Sequence, residues 1–200
     1  MVKRIMTVVT SPRGRPRDER VHTAILNAAA ALVAETGYAA MSIGAVAARA
    51  GTGKDAIYRR WSGKAELVYE AVFATTESAP VPDTGSLTGD LTALAEDLVQ
   101  EFTTPAATAA LPGLLADFAA SPELQTRIRS HFLAPAKARL TEVFERAAQR
   151  AEADTAVPVD LVLDTLAGAV FFHVGLIGTP ANQDLAAQLA TLLARGIETR

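Results

Sequence analysis

The 200-residue chain has no cysteine, so disulfides, thiolate metal sites and thiol redox chemistry are excluded. It has three histidines, His22, His131 and His173, at no metal-ligand spacing, and neither H-x-x-x-H, G-x-S-x-G nor a phosphate-binding loop occurs. A metal site is therefore not expected, and nothing calls for a cofactor. Long apolar runs are also scarce. The opening M-V-K-R-I-M-T-V-V-T is too short in its apolar part for a secretory core. The most apolar stretch, Val157–Gly178, is interrupted by Asp160, Asp164 and His173, which suits a buried interface helix better than a membrane span. A cytoplasmic protein without a membrane partner is expected.

Runs of β-branched residues and period-two alternation are equally scarce, whereas alanine and leucine abound, so the chain reads as all-α, with about nine helices. From Asp18, the residues Val21, Ile25, Ala28 and Leu32 keep helical spacing until Gly37. Ser42 then stands as an N-cap before Ile43, Val46, Ala47 and Ala50, and Gly51 closes this short helix. After Gly51-Thr52-Gly53 a further helix is predicted over Lys54–Trp61, and Ser62 is placed to cap a fourth that runs to about Ser78. Two short helices about a glycine-bearing turn are the pattern of a helix-turn-helix. Residues 79–89, rich in Pro, Gly, Ser and Thr, read as a loop. Beyond it helices are predicted at Asp90–Thr103, Ala106–Ala120, Pro122–Ala153, Val159–Ile177 and Asn182–Glu198, with Pro112 and Pro135 kinking or breaking two of them.

Charge is divided unevenly. Residues 1–64 hold eleven Lys and Arg against four acids; the remainder holds eight against eighteen. The first part attracts polyanions and the second repels them. The division predicts a basic arm over 1–17, a DNA-binding domain over 18–64 and a ligand-binding and dimerisation domain over 65–200.

A recognition helix presents polar side chains near its N-terminus to base edges, while apolar residues behind it anchor it. Lys54 suits guanine O6 and N7, Asp55 suits cytosine N4, and Ala56 is small enough for a thymine methyl; Ile57 and Trp61 are the anchors. Tyr58, Arg59 and Lys64 are placed to clamp phosphates, with Ser42 and Thr52 adding contacts to the DNA backbone. The arm around Arg13 and Arg15, P-R-G-R-P-R, has the core of a minor-groove AT-hook, and equally suits a disordered arm attracted to phosphates.

The segments A-E-T-G-Y, M-S-I-G-A-V-A-A-R-A-G and I-Y-R-R-W-S-G-K-A-E-L, within Ala28–Leu67, resemble the DNA-binding region of TetR-family repressors. The resemblance implies that Ser42, Thr52, Tyr58 and Lys64 touch the DNA backbone and that Gly53 to Ala56 and Arg59 face the major groove. Gly53 stands where the family commonly has serine, and Arg60-Trp61 replaces a more usual aromatic or His followed by Phe. The resemblance also implies a C-terminal ligand and dimerisation domain. Leu161, Leu166, Val170, Val174, Leu185, Leu189 and Leu192 make the last two helices apolar over more than one face, as pairing with a second copy requires. Phe102, Leu111, Leu115, Phe118, Phe132, Phe171, Phe172 and His173 are the candidates for lining an effector pocket. The expected partners are double-stranded operator DNA, a small apolar or amphipathic effector and a second copy of the chain. The expected function is a repressor released from its operator by that effector. The rivals are a ligand-independent DNA-binding protein and an all-helical enzyme with an apolar pocket.

Overall fold

The computed structural model describes residues 15–73, 80–154, 156–178 and 184–197, with side chains from Asp18 onward. The described residues are helical and contain no strand. The elements are α1 (Arg15–Ala40), α2 (Ile43–Arg49), α3 (Lys54–Tyr58), α4 (Lys64–Phe73), α5 (Leu87–Thr103), α6 (Pro105–Ala120), α7 (Pro122–Ile128), α8 (Ala134–Gln149), α9 (Val159–Val170) and α10 (Leu185–Ile197). A π-helical segment, Arg129–Leu133, joins α7 to α8, and another, Phe171–Leu176, extends α9.

Helix α1 starts at Arg15, inside the expected arm, because Pro16 falls in its first turn, where a missing N–H costs nothing. Arg13 and the opening ten residues lie outside the described residues. Gly37, at φ 80°, breaks α1 as its position predicted, a backbone conformation costly to any L side chain. The expected N-cap at Ser62 is replaced by another arrangement. Helix α4 begins at Lys64, and Glu66 reaches back to accept hydrogen bonds from the Ser62 N–H (2.8 Å) and Oγ–H (2.5 Å). The predicted ends of this helix at Ser78, and of the last one at Asn182 and Glu198, also lie outside the described residues.

Pro112 sits inside α6 without dividing it. The single helix expected over Pro122–Ala153 is, however, divided. Pro135 has no N–H for the helical ladder, and the π turn before it, closed by the Ala134 N–H on Arg129 O, widens the helix there. Its last residues also leave the helix. Ala151, at φ 59°, turns the chain, with the Glu152 N–H on Ala147 O and the Ala151 N–H on Ala148 O. Helix α5 starts three residues sooner than expected because Ser86 caps it, accepting from the Gly89 N–H at 3.1 Å.

Two apolar cores result. One joins α1–α4 to α6, α7 and Phe132, around Ile25, Val33, Ile57, Trp61, Leu67 and Leu114. The other joins α5, α8, α9 and α10, around Leu91, Leu140, Val143 and Leu166. The loop before α5 is tied to α8: Arg139 and Arg146 donate to the Pro80 and Pro82 carbonyls, and buried Asp90 accepts from the Thr84 N–H (2.7 Å) and Oγ–H (2.8 Å) while facing Arg150. Among the described residues one stretch, Val159–Leu176, is long and apolar enough by length and composition to cross a membrane (mean hydropathy 1.6).

Candidate DNA interface and effector cavity

The turn between α2 and α3 is set by sequence. The Ser42 Oγ accepts from the Ala45 N–H at 3.2 Å and starts α2. Gly51, at φ 64°, ends it; the Thr52 N–H bonds Ala47 O (2.9 Å) and the Gly51 N–H bonds Ala48 O (3.3 Å), the paired bonds that close a helix over a left-handed residue. Gly53 stands as the N-cap of α3 and offers no side-chain cap. Ile57 and Trp61 are fully buried and hold α3 against α1 and α4. The Trp61 ring stacks on His22 at 5.3 Å, and its Nε1–H donates to Glu70 (2.5 Å), whose other oxygen meets His22 at 3.1 Å.

With that face inward, Gly53, Lys54, Asp55, Tyr58 and Arg59 are exposed together, Tyr58 at 55 %. Ser42 is exposed at the start of α2 and Thr52 is half-buried in the turn. Ala56 is the exception among the expected major-groove residues. It is buried because it lies on the same side of this short helix as Ile57, so its methyl faces the core. Arg60 is engaged elsewhere, donating to Ala56 O (2.7 Å) and pairing with Asp18 on α1. Arg49 holds Glu35 through two 2.7 Å bonds that brace α2 on α1, and that pairing holds the Glu35 carboxyl below the usual carboxylate range. Of the expected arm residues, Arg15 opens α1 with no side chain described.

Lys64 has a more complicated setting. Its Nζ donates to Ala39 O (3.3 Å) at the end of α1 and lies 4.3 Å from the Tyr38 ring centre. Desolvation draws its pKa down, partly offset by the Asp117 charge. The Tyr38 hydroxyl donates to Asp117 on α6, and its pKa is raised by burial and by that carboxylate. The ring lies over Gly113, where an added Cβ would come 2.1 Å from Tyr38 Cδ1. This joint fixes the DNA-binding head to α6.

A cavity of about 540 Å³ opens between α4, α5, α6, α8 and α9. Phe102, Leu111, Leu115, Phe118, Phe132 and Phe171 line it, as expected from sequence, whereas Phe172 and His173 do not. Successive side chains of a helical segment point to different sides of its axis. With Phe171 inward, Phe172 is turned out to 58 % exposure and His173 is carried off the wall. Sequence reasoning missed Tyr69, Phe73, Asp97, Glu101, Arg139 and Asp164 on the wall. A signal existed for two pairs: Tyr69 and Phe73 on α4, and Asp97 and Glu101 on α5, each at i, i+4 and so on one face.

The expected interface residues also divide. Leu166 and Val170 are buried inside the chain's own core, so they are not available to a partner; Val162, four residues before Leu166, marks the same inward stripe. Val174, Leu185 and Leu189 are half-buried. Leu161 and Leu192 are exposed at 59 % and 67 %, joined by Phe172, Leu176 and Ile177, which sequence had not assigned to this role.

Residues 25–71 match the family described as "Bacterial regulatory proteins, tetR family", and residues 81–193 match "Tetracyclin repressor-like, C-terminal domain". The chain is 30 % identical over 189 residues to the "Uncharacterized HTH-type transcriptional regulator YdeS" of Bacillus subtilis, covering 94 % of this chain and 95 % of that protein. Among solved structures it is similar to the TetR family transcription regulator SCO0332 (TM-score 0.72, 26 % identity, 90 % of this chain and 100 % of that one). It also shares the fold of Bacillus subtilis FadR, solved in complex with stearoyl-CoA (TM-score 0.60, 17 % identity, 88 % and 100 %). The outward face of α3 defines a helix-turn-helix DNA-binding protein. The chain belongs to the TetR family of transcriptional regulators.

Proposed function

We propose that this regulator is a cytoplasmic homodimeric repressor, not an enzyme, that reads a two-fold symmetric operator with α3 and releases it when a small molecule fills the cavity. The observation that carries the reading is the division of α3 into two faces. Ile57 and Trp61 are anchored inside, and Lys54, Asp55, Tyr58 and Arg59 are presented outside beside Ser42. Lys54 and Asp55 are the base-reading residues, while Tyr58, Arg59 and Ser42 set the register on phosphate, with Thr52, Gly53 and Lys64 beside them.

Dimerisation is supported by the outer face of α9. Leu161, Thr165, Gly168 and Phe172 recur at i, i+4, i+7 and i+11 and all are exposed, a stripe continued by Leu176. Leu192 adds an exposed leucine on α10. Covering these residues with their copies about a two-fold axis removes from water the apolar surface that leaves only 22 % of Val159–Leu176 buried in one chain.

The test is a titration of the full chain against its own upstream intergenic DNA and a scrambled duplex, across salt concentrations. Specific binding is expected to exceed scrambled by on the order of a thousandfold or more. Lys54→Ala is expected to reduce that ratio by roughly tenfold or more, and Tyr58→Phe to weaken both duplexes alike. Equal weak binding to both duplexes, unmoved by either substitution, overturns the reading.

A further inference from the structure

Gly44 sits in the first turn of α2, where its backbone is ordinary: among the described residues the glycines in the left-handed region are Gly37, Gly51, Gly85 and Gly178. Glycine inside a helix is less favourable than alanine, so the fold gains nothing from the missing methyl. The space that the methyl would take is occupied. A Cβ built on Gly44 would stand 3.2 Å from Lys54 Cε and 3.5 Å from Lys54 Nζ, with Ser42 Oγ at 3.9 Å. Gly53 and Gly63, also in the head, have nothing within 4 Å of the same point. Lys54, the first residue of α3, therefore lays its aliphatic chain across the start of α2. Among the described residues its ammonium has neither a hydrogen-bond nor an ion-pair partner, so packing over Gly44, and not a polar bond, sets its course.

That course matters for recognition. A lysine carries a point charge on a flexible stem, and the base edge or phosphate it reaches depends on where the stem leaves the protein. Carbon atoms in contact ordinarily keep roughly 3.5–4.0 Å apart, so a methyl at residue 44 would push the lysine stem aside, and the stem yields before the helix does. Building on the assignment of Lys54 to base reading, we infer that Gly44 is a positioning residue for operator recognition. Its bare backbone gives Lys54 a track across α2 and holds the ammonium on the same side as Ser42, the residue that sets register on phosphate. A side chain at residue 44 keeps the helix and removes the track.

The test is a double-mutant cycle in the full chain, Gly44→Ala against Lys54→Ala. It is read as the ratio of affinities for the upstream intergenic DNA and a scrambled duplex at one salt concentration, with urea midpoints measured alongside. Gly44→Ala is expected to lower that ratio by roughly fivefold or more while the urea midpoint stays equal or rises, since alanine suits the helix better. In the Lys54→Ala background the same substitution is expected to change the ratio by less than about twofold, because the side chain it displaces is gone. An unchanged ratio in Gly44→Ala overturns the inference. So does an equal loss with and without Lys54, which would mean that the added methyl acts on the DNA directly. A loss accompanied by a lower urea midpoint overturns it as well, because the glycine would then serve the fold. Each of these results leaves base reading by Lys54 standing when Lys54→Ala alone erodes the ratio. If Lys54→Ala leaves the ratio intact, the base-reading assignment falls and this inference falls with it.

Discussion

Ala151 holds a left-handed conformation, φ 59°, at the residue after the C-cap of α8, a position glycine occupies without penalty. Gly51 fills the equivalent position after α2 at φ 64°. Ala151→Gly is therefore expected to stabilise the protein by about 0.5–1 kcal/mol, and Gly51→Ala to destabilise it by about 1 kcal/mol, both read from urea midpoints. Most of the residue-scale detail in the head was legible from sequence because caps and turns are local chemistry: Ser42, Gly37 and Gly51 act where the spacing placed them. Ala56 was not legible. Whether a residue on a five-residue helix faces DNA or core depends on the angle at which α3 packs, and that angle is set by Trp61 on His22 and Glu70, partners distant in sequence.

At the scale of elements, α4 is the link between head and body. Glu70 points to Trp61 and His22 on the head side, and Glu66 meets Arg127 (4.0 Å) and His131 (3.6 Å) from α7 and the π turn. Burial raises the Glu66 pKa, but the two Ser62 hydrogen bonds and the charges of Arg127 and His131 outweigh it, and the net shift is downward. The unfolded chain therefore takes up this proton first as the pH falls. The contribution of Glu66 is complete above the ordinary glutamate value of about 4.3 and is lost as pH drops through the lower native value. Glu66→Gln should flatten that part of the stability–pH curve in denaturant titrations between pH 7 and pH 3. A curve of unchanged slope would show that the cluster does not stabilise the fold. The joint on α6 makes a second element-scale prediction. Gly113→Ala drives a methyl into the Tyr38 ring and is expected to cost about 1–3 kcal/mol in thermal or chemical denaturation, with weakened DNA affinity as the head shifts. Neither π turn was legible, although Pro135 marked where one of the helices would be disturbed; a π turn answers to packing around it, and no residue pattern in 129–133 or 171–176 distinguishes it from α-helix.

For the molecule as a whole, the helical content and the basic-to-acidic change along the chain were readable before any coordinates, because they rest on summed propensity and charge. The two cores do not respect the division at residue 64: α4, α6 and α7 complete the core of the head. Tyr69 and Phe73 line the cavity on the same helix whose Glu70 holds Trp61, so α4 touches both the cavity and the support of α3. The outer faces of α9 and α10 predict a dimer at micromolar concentration in sedimentation experiments, and Leu161→Glu combined with Phe172→Glu should shift it to monomer while leaving the helical circular-dichroism signal intact.

The central claim, a two-fold molecule reading DNA with α3, is tested most directly by hydroxyl-radical footprinting of the full chain on its upstream DNA. The account predicts two protected patches on one face of the duplex, about one helical turn or roughly 34–36 Å apart between centres, both lost in Lys54→Ala combined with Tyr58→Ala. A single patch, or protection that survives that double substitution, would contradict it.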